Sequence, residues 1–65
     1  MILKGQVSTA DNTNRKARII LPDMENIITP EIPVAQNVGL LEINDMVVVA
    51  VFSDSLADGI VIAKY

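Results

Sequence analysis

Apolar and polar positions alternate with a period of two along much of the chain, and helical periodicity is weak throughout. Met1 to Ser8 sets Ile2, Leu3 and Val7 among Lys4, Gly5 and Gln6, which predicts a first strand with Gly5 at a bend or a close backbone approach. Thr9 to Asn14 contains Ala10-Asp11-Asn12-Thr13-Asn14, rich in side chains that bond their own backbone, so it should turn the chain into an antiparallel partner. That partner is Arg15 to Leu21, with Ala17, Ile19 and Leu21 on one face and Lys16 and Arg18 on the other. Pro22-Asp23 ends it, because proline cannot donate to a ladder and presets a turn.

Asn26 to Val34 reads as a third strand carrying Ile28, Ile32 and Val34. Pro30 and Pro33 exclude a central position for it, leaving an edge strand or a strongly bent one. Ala35 to Asp45 has room for one short helical turn around Gly39, and Asn44-Asp45 predicts a tight turn, since asparagine tolerates a left-handed backbone. Met46 to Phe52 is the strongest strand signal. Both of its faces are apolar: Met46, Val48, Ala50 and Phe52 alternate with Val47, Val49 and Val51. After a polar loop with Asp58-Gly59 as its turn pair, Gly59 to Tyr65 repeats the pattern, with Ile60 and Ile62 on one side and Val61, Ala63 and Tyr65 on the other. Five short strands in this order predict an all-β fold, a small OB-like barrel or its SH3-like cousin, in a single domain spanning residues 1–65.

The length changes this picture. A chain of 65 residues buries only about 60% of its unfolded surface, so its core needs a supplement. Disulfides are excluded by the absence of cysteine, and without histidine only all-carboxylate metal sites remain. Association is left. An antiparallel barrel strand normally shows one face to water, so the doubly apolar strands predict a second layer. With Phe52 taken as the core anchor, the outward set is Val47, Val49 and Val51, joined by Val61; these four are the expected interface. Covering each is worth about 1.5 to 3 kcal/mol when burial is complete. The competing expectation is that Ala35 to Asp45 folds back over this face within the chain.

Net charge is −3, from eight acidic and five basic residues, which argues against a general polyanion binder. Arg15, Lys16 and Arg18 nevertheless cluster, so a nucleic-acid-binding barrel using these three against phosphate is the alternative reading, set against a solvated strand face. Stacking platforms are scarce, with one phenylalanine and one tyrosine. Tyr65, as the last residue, could be packed or frayed. The absence of histidine and cysteine removes the commonest general acid–base and nucleophilic groups, and no catalytic residue or cofactor is expected. Asp54 and Asp58 could act as a carboxylate pair or hold a hard cation, but aspartates in such a loop are normally turn formers and the spacing is not that of a calcium loop. The three glycines are too scattered to cradle phosphate. Met1 to Val7 has no signal-peptide pattern, and the longest apolar run, Met46 to Phe52, is far short of the roughly 20 residues of a spanning helix. The expectation is cytoplasmic synthesis without a membrane partner.

Several segments together carry a family resemblance: Gly5-Gln6-Val7, Lys16-Ala17-Arg18-Ile19-Ile20-Leu21-Pro22-Asp23, Ile32-Pro33-Val34, Ile43-Asn44-Asp45-Met46-Val47-Val48-Val49 and Leu56-Ala57-Asp58-Gly59-Ile60-Val61-Ile62-Ala63. In this order they resemble the small barrel domain of phage tail and baseplate proteins and related contractile injection machines, at the base of the spike or hub. Asn44 and Ala63 stand where that family commonly has glycine. The resemblance implies a structural component that oligomerises, often as a trimer, or joins other tail proteins, is assembled in the cytoplasm and ends in a virion or tail-like particle. It transfers no catalytic residues.

Overall fold

The computed structural model describes residues 1–65 and is all-β, with no α-helix. Its strands are β1 (Ile2–Asp11), β2 (Lys16–Leu21), β3 (Ile27–Ile28), β4 (Ile32–Pro33), β5 (Met46–Val51) and β6 (Gly59–Lys64). They form one antiparallel sheet in the order β3-β2-β1-β5-β6, with β4 also paired to β2. The sheet curls until Val34 meets Val61 in a single parallel bridge, where the Ala35 N–H donates to the Val61 carbonyl at 2.8 Å. It is barrel-like, with the two edges joined by that bridge and no closed ladder.

The expected third strand is divided in two. Thr29-Pro30-Glu31 interrupts it, so β3 and β4 each give β2 a two-residue edge pairing, as the prolines require. Pro22 opens a short 3-10 turn at Pro22–Met24, where its missing N–H costs nothing, and a second such turn, Gln36–Val38, fills part of the long connection. Asn44 is left-handed, φ 77°, within the expected tight turn. One local expectation is overturned: Gly59 is extended and opens β6, and the reversal is made by a 3-10 turn at Leu56–Asp58.

β1 runs three residues beyond its expected end because of a bulge. Its pairing to β2 shifts between Val7 and Thr9, so Val7 points inward and Thr9 and Asp11 point outward. Strict alternation would have placed a threonine and an aspartate in the core. A similar irregularity separates Val48↔Ala63 from Val49↔Val61 in the β5–β6 ladder, with Ile62 as the extra residue.

The core is one cluster of inward side chains, chiefly Val7, Ala17, Ile19 and Leu21 from β1 and β2, Val47, Val49, Val51 and Val61 from β5 and β6, with Ile32, Val34 and Leu41 over them. Here the expected interface is corrected: Val47, Val49 and Val61 are 0% exposed and Val51 is 3%, so all four valines fill the interior. Phe52 is 71% exposed and is no core anchor. Phe52 shares the face of Met46, Val48 and Ala50, so once Val47, Val49 and Val51 turn inward the same alternation sends it outward.

Candidate functional site

With the valines inside, the alternate residues of the same strands form the outer wall. Along β1 these are Ile2, Lys4 and Gln6; along β5, Met46, Val48 and Ala50; along β6, Ile60 and Ala63. The register lines them up across the sheet as Ile2–Ala50–Ile60, Lys4–Val48–Ala63 and Ile28–Ile20–Gln6–Met46. Lys4 and Gln6 are the only polar members of these three rows. Ile2 is 64% exposed, Ile28 and Met46 are also exposed, and Val48, Ile60, Ile62 and Ile20 are half-buried. A water-facing sheet surface of this composition is an apolar belt, and it is reached by shifting the expected interface one residue along each strand.

A second apolar feature lies at the end of the sheet where β1 begins. Because β1 pairs antiparallel with both β2 and β5, the connection after Leu21 and the loop after Val51 fall at this same end. Met1 joins them, with its carbonyl accepting from Val51 N–H at 2.8 Å and its ammonium donating to the Val51 carbonyl at 2.9 Å. Met1, Ile2 and Phe52 are exposed here beside the exposed acids Asp23, Glu25, Asp54 and Asp58. Within the loop the Ser55 hydroxyl accepts from Ala57 N–H and caps the 3-10 turn, so its local bonds are those of a turn, while the two aspartate side chains bond nothing.

The Arg15, Lys16 and Arg18 trio divides. Arg15 has a left-handed backbone, φ 57°, which turns its side chain toward the long connection, and its guanidinium donates to the Gly39 carbonyl at 2.6 Å and the Ala35 carbonyl at 2.7 Å. It is a latch over residues 35–39 and is withdrawn from the expected polyanion contact. Lys16 and Arg18 remain exposed on the outward face of β2, in line with Ile20. Lys64 is paired with Asp45 at 3.8 Å, the only ion pair, and also donates to the Leu40 carbonyl. Lys4, Lys16 and Arg18 are therefore the unpaired side-chain cations.

Asp11 sits opposite Lys16 but turns to its own hairpin, accepting from the Asn14 side-chain amide at 2.9 Å and the Asn14 backbone N–H at 3.2 Å. Those bonds, the side-chain one foremost, hold its carboxyl below the usual carboxylate range. No surface pocket is present, and no three acidic side chains converge as metal ligands would. The chain matches no family model, no curated protein and no solved structure.

Proposed function

We propose that this chain is a structural component that acts by assembly and not by catalysis, burying its outward apolar belt against further copies of itself. The resemblance to phage tail and baseplate barrels supports a tail or tail-like particle as the setting of such an assembly, with other tail proteins as further partners. The observation that carries the reading is the row Lys4–Val48–Ala63 flanked by Ile2–Ala50–Ile60: a sheet face with one charge among six positions, of which Ile2 and Lys4 are exposed, Val48, Ala63 and Ile60 half-buried and only Ala50 buried. Burying such a face removes apolar area from water at about 25 cal/mol per Å2, enough to matter to a domain this small. Light scattering across micromolar to millimolar concentration tests it. The wild type is expected above its monomer mass of 7.0 kDa, and Val48→Lys is expected to raise the dissociation constant at least tenfold. A wild type that stays at 7.0 kDa throughout overturns self-assembly.

A further inference from the structure

We infer that the outward face of β2 and β3 receives the Phe52 loop of a second copy, so that copies associate head to side; this rests on the self-assembly reading above. The receiving face carries Lys16, Arg18 and Ile20 at alternate positions of β2, about 7 Å apart along the strand, with Ile28 of β3 paired beside Ile20. Its cations make no ion pair within the chain: the one ion pair is made by Lys64 and Asp45, Asp11 across from Lys16 is held by Asn14, and the exposed Glu31, next to the Ile32 that pairs with Ala17, bonds neither cation. The entering loop has the opposite sign. Phe52 is the most exposed large apolar side chain, and Asp54 and Asp58 follow it with free carboxylates. Asp23 and Glu25 extend the negative end, and no lysine or arginine lies in either connection there.

Each surface thus combines apolar side chains with charges that its own chain leaves unpaired, and the signs are complementary. Aromatic side chains are enriched in interfaces, and complementary charge around them sets register and partner. The occupant is a second copy because this chain itself supplies both halves. The two halves are different surfaces, one at the end of the sheet and one on its flank, so the contact is heterologous and propagates into a ring or an open row.

Two double charge reversals test this: Lys16→Glu with Arg18→Glu, and Asp54→Lys with Asp58→Lys, with folding checked by circular dichroism. Each alone is expected to weaken association at least tenfold by light scattering, and an equimolar mixture is expected to reassociate well above monomer mass into alternating assemblies, because each variant complements the other at both contacts. Unchanged mass in both variants measured separately, or folded variants that stay dissociated when mixed, overturns the head-to-side contact while leaving assembly through the apolar belt standing. A monomeric wild type overturns both. If a variant does not fold, the wild type itself decides: its mass is expected to fall between about 50 mM and about 500 mM salt, and a mass independent of salt overturns the inference.

Discussion

Thr29 is buried to 1% exposure and does the work of a missing ladder rung. Its hydroxyl oxygen accepts from Ile19 N–H at 3.0 Å while its own N–H donates to the Ile19 carbonyl at 2.9 Å. Thr29→Val leaves a buried donor without a partner and should cost about 1–3 kcal/mol in urea unfolding, whereas Thr29→Ser should recover most of that. Nothing local in Ile28-Thr29-Pro30 announces this role, which depends on where the chain returns to β2. Gly5 is the opposite case. A side chain there would strike Ile19 Cγ2 and come within 2.9 Å of the Ile20 carbonyl oxygen, the close backbone approach that a glycine inside a strand pattern suggests. At Asp11 the sign of the pH effect follows from its hydrogen bonds. They favour the ionised form in the folded state, so their contribution is complete above the usual carboxylate range and is lost as pH falls through the lowered pKa. An NMR titration of the Asp11 carboxyl should show its midpoint rising in Asn14→Ala, which removes the side-chain donor.

At the level of elements, the turn at Asn44 and the end of β2 were legible, whereas the end of β1 and the turn before β6 were not. Asn44 occupies the left-handed position its residue type allows, and Pro22 ends β2 where it was expected to. The β1 boundary was hidden because the bulge beside Ser8 resets the pleat, so the residues after it no longer follow the alternation before it. The connection between β4 and β5 is held less by its own sequence than by Arg15 from the first hairpin, and by Asn12, whose side chain bonds both the N–H and the carbonyl of Leu41 at 2.9 Å. Arg15→Ala removes two guanidinium bonds and should speed amide exchange at Ala35 and Val38 about tenfold, equivalent to about 1.4 kcal/mol, while exchange within the β1–β5 ladder stays unchanged. Equal acceleration in both regions would show that the connection is not separately latched.

For the whole molecule, the decisive quantity is which side of β5 and β6 faces the core. Val47 and Val48 are adjacent and chemically identical, yet one is sealed and the other lines the outer belt. Val47→Lys places a charge in the interior and should abolish the cooperative thermal transition, whereas Val48→Lys should keep it and reduce only association. Loss of the fold in both variants would place both valines in the core. Residue order alone determined that this chain is all-β, where β2 stops and the Asn44 turn falls, which face of β2 is buried, and that β5 and β6 carry more apolar surface than one layer needs, because proline, asparagine and period-two patterning act locally. Only the tertiary structure decided which of two equally apolar faces turned inward, that Phe52 lies outside, and that Arg15 serves the chain itself. Burial of valine against valine is energetically alike on either side, so the choice falls to bulges, strand ends and long-range bonds that no local pattern encodes.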